Sequence, residues 1–267
     1  NRAAEEQARI AALVQGIPGM SDLLEQSGGT LSTVVIDLDR GRAAAEVTPA
    51  TLEAALADPA NWTVLDAGQN IAGLGQRPNF VQVYLLRDGD TVSLLLLPLS
   101  GQGYGGRIDA IMALRGDMNT IAGIAVTQHS ETPGLGARIE ESSWRASFPG
   151  TELRDASGEL RFRVARGPAS GVHEVDGITG ATRTGRGVTQ MVRFWLGPDG
   201  YGPLLARSKS RVPSIANGWK RRWIGRPISS PNPHRCRFTR SCTAEPRHRS
   251  AGAPAPPARG WRRSSRR

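Results

Sequence analysis

The chain has 267 residues, 39% of them hydrophobic, enough for one sizeable domain or two small ones. Its net charge of +10 is uneven: residues 1–208 carry 18 basic and 23 acidic residues, whereas 209–267 carry 16 basic residues and one acid, Glu245. The body is therefore mildly acidic, and the basic total says little about nucleic acid. Both cysteines, Cys236 and Cys242, lie in the basic tail. This excludes a disulfide framework, a thiolate zinc site or an iron–sulfur cluster from the body.

Asn1–Val14 places Ala, Leu and Ile at helical spacing opposite Glu5, Glu6 and Arg9, which predicts an amphipathic helix ended by Gly16, Pro18 and Gly19. Residues 1–30 are read as a helical segment, 31–207 as the folded domain and 208–267 as a tail. Thr33–Leu38 reads as a strand. Thr48–Ala57 reads as a helix, capped at Thr48, begun at Pro49 and closed by Pro59. Phe80–Leu86 and Thr91–Leu97 flank Arg87-Asp88-Gly89-Asp90 and predict a hairpin. No run reaches the roughly 18–20 apolar residues of a membrane helix; the longest, Leu94–Leu99, is of strand length.

Gly101-Gln102-Gly103-Tyr104-Gly105-Gly106 matches the dinucleotide fingerprint in letters. The fingerprint needs a helix to start there. Arg107–Leu114 is short and β-like, so a glycine-rich loop between strands is the better reading. Arg107–Leu114 and Thr120–Gln128 around Gly116-Asp117 predict a second hairpin. His129 and Glu131 precede Pro133 and Gly134 in a loop that lacks the remaining ligands of a metal site. Glu140–Phe148 reads as a short helix, Leu160–Val164 as a strand and Gly185–Leu196 as a helix. Hairpins and helices without a βαβ order predict an α+β fold: an antiparallel sheet with flanking helices.

Lysine is absent from 1–208, and after Arg207 the chain turns to Arg, Pro and Ser without a period. A disordered or non-native tail is expected there; the competing reading is a basic arm for anionic lipid or nucleic acid.

Asp176-Gly177-Ile178-Thr179-Gly180-Ala181-Thr182 is an acidic, glycine-bearing turn ending in a hydroxyl. On local grounds it serves equally as a helix cap or as an attachment point. Small residues at 180 and 181 admit a large group, and amides at a helix start suit a phosphate. Thr184 is a rival hydroxyl.

Three segments widen the view. They are Gly116-Asp117-Met118-Asn119-Thr120 with Glu131-Thr132-Pro133-Gly134-Leu135-Gly136, then 175–182, then Phe194-Trp195-Leu196-Gly197 through Gly202-Pro203-Leu204-Leu205. In this order they resemble the C subunit of the bacterial sodium-translocating NADH:quinone reductase, over roughly residues 1–207. The heptapeptide and the Glu-Thr-Pro-Gly-Leu-Gly loop are shared with the homologous G subunit of the Rnf electron-transport complex. Tyr104-Gly105-Gly106 stands where the C subunit usually has Leu-Trp and is closer to the Rnf form.

The resemblance implies an FMN-binding domain with FMN esterified through its phosphate to Thr182. It implies that Asp176, Thr179, Gly180 and Ala181 complete the attachment motif. Glu131, Thr132, Gly134 and Leu135 would belong to the loop along the isoalloxazine ring. No catalytic residue and no metal ligand is expected. The implied role is electron carriage in a redox-driven sodium pump that oxidises NADH and reduces ubiquinone. Its implied partners are the other subunits of the complex and a flavin transferase, with no nucleic acid. An amino-terminal membrane helix preceding Asn1 would place the flavin domain on the periplasmic side of the inner membrane. A noncatalytic extracytoplasmic binding module is the alternative from a different class.

Overall fold

The computed structural model describes residues 29–211. The predicted helix at 1–14 and most of the basic tail lie outside the described residues. Strand β1 (Thr30–Asp37) is followed by β2 (Arg42–Ala43), helix α1 (Leu52–Leu56), β3 (Trp62–Val64) and β4 (Gln76–Pro78). Next come β5 (Phe80–Asp88), β6 (Thr91–Gln102), β7 (Arg107–Arg115) and β8 (Ile121–His129). After β8 lie α2 (Ser142–Arg145), β9 (Arg163–Val164), β10 (Glu174–Val175), α3 (Thr182–Trp195) and α4 (Gly202–Arg211).

Six strands form one sheet in the order β2-β1-β5-β6-β7-β8, with every neighbouring pair antiparallel. The fold is the expected α+β arrangement. Both predicted hairpins are present. The β5–β6 turn closes at the pair Asp88–Thr91, and Gly89 supplies the positive φ of 57° that a two-residue turn requires at its first central position. The β7–β8 turn is pinned by the Asp117 carboxylate, which accepts from the Asn119 and Thr120 amides at 2.9 and 2.8 Å. That turn holds Met118 at φ 58°.

One sheet face carries Leu95, Leu97, Leu99, Ile108, Ala110 and Met112 into the main core against α3. The other face carries Leu86, Leu94, Leu96, Ala113, Ala122 and Ala125. Burial on both faces explains why β6 reads as a continuous apolar run instead of alternating. Helix α3 buries Val188, Met191, Val192 and Trp195 on one side. Its approach to β6 is close: a Cβ on Gly101 would lie 2.7 Å from the Met191 Cβ, and one on Gly187 would lie 2.6 Å from the Gln102 carbonyl. The Trp195 indole donates to the Ser100 carbonyl at 2.7 Å, and the buried Tyr201 hydroxyl donates to the Pro98 carbonyl at 2.8 Å. Burial pushes the Tyr201 hydroxyl well above its ordinary pKa.

Several elements differ from the sequence expectation. Helix α1 starts at Leu52, because Thr48 and Thr51 close a tight turn of their own: the Thr48 amide donates to Thr51 Oγ1 and the Thr51 amide to the Thr48 carbonyl. Pro49 therefore sits in that turn. The strand expected over 160–164 shrinks to Arg163–Val164, paired in parallel with β10; Leu160 makes only an isolated bridge to Arg154. The short helix expected over 140–148 is split into a 3-10 turn at Gly136–Glu140 and α2. Helix α4 was not anticipated, and it runs through Arg207 to Arg211, past the point where the composition changes.

Candidate functional site

The glycine-rich stretch at 101–106 ends β6 and runs straight into β7, so no helix begins there. Its glycines serve packing. A Cβ on Gly103 would fall 2.1 Å from Glu131 Oε1, and one on Gly105 would fall 2.2 Å from the Ser130 carbonyl. These contacts point to the Glu131 carboxylate, which is only 5% exposed. Glu131 Oε1 accepts from the Gly105 amide at 3.0 Å, and Oε2 accepts from the Thr184 hydroxyl at 2.6 Å. The Glu131 amide donates to His129 Nδ1 at 3.0 Å. One buried carboxylate thus ties three segments together: the 103–106 loop, the 131–136 loop and the first turn of α3. Such a group is tolerated inside because its oxygens are satisfied.

Beyond Glu131 the second loop turns outward. Thr132, Pro133, Gly134 and Leu135 are exposed. Gly134 adopts φ 73°, and the Thr132 carbonyl accepts from the amides of Leu135 and Ala137. A Cβ on Gly180 would lie 3.2 Å from Leu135 Cδ2, which puts this loop against the heptapeptide. Gly180 itself has φ 79° and makes the bend before the helix.

The heptapeptide is held from its other end. The Asp176 carbonyl accepts from the Trp144 indole at 2.8 Å, and its carboxylate accepts from the Ala169 amide at 2.7 Å. Asp176 therefore orders the 167–176 loop and does not cap α3. Ile178 is buried and Thr179 is exposed. Helix α3 begins at Thr182, with Ala181 in the cap position and no side-chain cap. The first-turn amides of a helix have no intrahelical acceptor, and here the cap residue offers them no side-chain acceptor.

The two candidate hydroxyls differ sharply. Thr182 is exposed, whereas Thr184 is 1% exposed and its hydroxyl is spent on Glu131. Beside Thr182 opens a cleft of about 400 Å³, lined in part by Val164, Ala165, Arg166, Ile178 and Arg186. A smaller pocket of about 170 Å³ borders Trp144, Asp176, Gly177 and Thr179. Of the large hydrophobic side chains left exposed, Tyr104 (59%) and Leu135 (47%) stand on the two loops that Glu131 joins. Among the described residues no group of three or more His, Cys, Asp or Glu is placed to hold a metal ion. No helix among them is long and apolar enough to cross a membrane.

The structure brings together every predicted site residue: Asp176, Thr179, Gly180, Ala181 and Thr182 on one segment, and Glu131, Thr132, Gly134 and Leu135 on the adjoining loop. It revises the part assigned to Glu131, whose side chain faces inward and positions other groups. Sequence reading missed Arg183, whose guanidinium lies 5.3 Å from the Tyr104 ring centroid, and the arginines of the cleft. Their grouping depends on contacts between segments far apart in the chain, which no local spacing signals.

The family described as FMN-binding domain matches residues 103–197, a span that contains both loops, the heptapeptide and α3. The C subunit of the Na(+)-translocating NADH-quinone reductase of Pseudomonas aeruginosa is 35% identical over 216 residues, covering 77% of this chain and 83% of that protein. The chain belongs to this C-subunit family. The corresponding protein of Yersinia pestis is 39% identical over 214 residues, covering 78% of this chain and 79% of its own. The crystal structure of Shewanella oneidensis NqrC superposes with a TM-score of 0.65 at 26% identity, covering 78% of this chain and 99% of that one.

Proposed function

We propose that this chain carries FMN joined through its phosphate to the Thr182 hydroxyl, and that it relays electrons as the C subunit of a sodium-translocating NADH:quinone reductase. The observation that carries the reading is the contrast between the two hydroxyls. Thr182 is exposed at an uncapped helix start beside an open cleft, whereas Thr184 is buried and bonded to Glu131.

The residues present fit the group. The first-turn amides of α3, which receive no side-chain cap from Ala181, suit phosphate oxygens, and the partial positive charge of the helix start favours them. Gly180 and Ala181 leave the backbone around Thr182 accessible to a modifying enzyme. Tyr104 and Leu135 offer apolar surfaces on either loop for a planar ring. FMN supplies the redox chemistry once bound, and the protein sets its position and electrostatics. Glu131 keeps the loops that bear those surfaces in place. A covalent tether suits a relay between fixed partners, since the carrier is not lost between cycles.

The other subunits of the complex are the partners in this reading, with a flavin transferase acting during maturation. NADH oxidation, ubiquinone reduction and sodium movement belong to the whole complex. The domain lies on the periplasmic side of the inner membrane in this reading. The test is co-expression with a flavin transferase, followed by a denaturing gel viewed under ultraviolet light. The wild-type band fluoresces and the Thr182→Ala band is dark; a Thr182→Ala band as bright as wild type would overturn the assignment.

A further inference from the structure

Arg183 stands at the wrong end of its helix for a cation. A helix start carries partial positive charge, and α3 has no acidic residue in its first turn to offset the guanidinium. No carboxylate among the described residues pairs with Arg183. Its contact is with an aromatic face: the guanidinium carbon lies 5.3 Å from the centroid of the exposed Tyr104 ring. Cation–π attraction holds a guanidinium in such a place without neutralising it. The backbone beside Tyr104 is held, because the next amide, that of Gly105, donates to the buried Glu131 carboxylate. The result is a positive charge without a carboxylate partner among the described residues, kept on the Tyr104 ring beside Thr182.

We propose that Arg183, held on Tyr104, is a tuning residue that favours the reduced state of the flavin. This rests on the attachment at Thr182. Electrons added to the flavin ring build negative charge at its polar edge, and a fixed cation nearby lowers the free energy of that state. Tyr104 has two tasks: it parks the guanidinium and it supplies an aromatic surface for the ring. A rival role for Arg183, as counter-ion to the phosphate alone, leaves the ring's potential unchanged.

The test uses the full chain loaded covalently by co-expression with a flavin transferase, titrated electrochemically while its absorbance is followed. Arg183→Gln lowers the midpoint potential, so that the reduced-to-oxidised ratio at a fixed ambient potential falls about threefold, or about 30 mV for a one-electron couple. Arg183→Lys retains most of the wild-type value. Tyr104→Phe keeps the aromatic face and stays near wild type, while Tyr104→Leu releases the guanidinium and shifts in the same direction as Arg183→Gln. Tyr104→Leu also brightens the flavin fluorescence, because a quenching ring is gone. Equal potentials for wild type and Arg183→Gln at equal loading would overturn the proposal and leave the attachment at Thr182 standing. If Arg183→Gln fails to load, Arg183→Met against Arg183→Lys decides, and equal potentials there overturn it. A wild-type chain that acquires no covalent flavin would overturn both readings.

Discussion

The central sheet and the site beside it are held by different means. Strands β5 to β8 are consecutive hairpins, zipped by neighbouring backbone and by apolar side chains on both faces. The site joins segments far apart in sequence through single polar contacts. Glu131 reaches Gly105 and Thr184, and Trp144 reaches the Asp176 carbonyl. The sheet spreads its stability over many small contributions, whereas the site concentrates its order in a few groups that have no substitute. One region therefore yields to loss of volume and the other to loss of a hydrogen bond.

The largest expected effect falls where the regions meet. Trp195 is 4% exposed, stacks edge-on with Phe194 and donates to Ser100 on β6. Trp195→Ala should cost about 3–5 kcal/mol, the range for truncating a buried large aromatic. In urea unfolding both regions then weaken together; a loss confined to the site would show that α3 does not share the sheet's core.

Next comes Glu131→Ala. It strands the Thr184 hydroxyl and the Gly105 amide, at about 1–3 kcal/mol for buried groups left unsatisfied. Hydrogen exchange should quicken in 103–106 and 131–136 while β6 and β7 keep their protection. Uniform loss across the sheet would contradict the division between the regions. Glu131→Gln keeps the shape and an acceptor oxygen, and it should lie between alanine and wild type.

The smallest effect is electrostatic. The Glu174 carboxyl is held down to about 2 by the Ser170 amide, the Arg163 guanidinium and the Ser170 hydroxyl. A depressed carboxylate contributes stability at pH above its unfolded value, and loses that contribution as pH falls through its folded value. The 167–176 loop should become easier to cleave by an acid-active protease as pH drops from about 4.5 towards 2, while the sheet stays intact. Glu174→Gln should show the loosened loop already at neutral pH. Equal cleavage of the variant and wild type at neutral pH would remove this carboxylate from the account.

Much of the sheet was legible because its signals are local. Asp88-Gly89 and Gly116-Asp117 mark turns, the runs between them have strand length, and Val188, Met191, Val192 and Trp195 recur at helical spacing. The heptapeptide was legible as a motif, yet its local chemistry left Thr182 and Thr184 equivalent. Burial separates them, and burial depends on Glu131 arriving from 53 residues away. The same distance hid the inward turn of the Glu131 side chain. It also hid the meeting of Tyr104 with Arg183. Strand Arg163–Val164 came out short because 150–175 is ordered by isolated bridges and side-chain contacts, such as Arg161 with Asp155, which have no period to read.

The central claim, that one exposed oxygen anchors the cofactor, is open to peptide mass mapping. Cleavage after Arg166 and Arg183 releases residues 167–183, which include Thr179 and Thr182, and places Thr184 in a different peptide. For the chain co-expressed with a flavin transferase, the added mass of esterified FMN should appear on 167–183, with fragment ions assigning it to Thr182. The same mass on the peptide beginning at Thr184, or fragment ions assigning it to Thr179, would contradict the account.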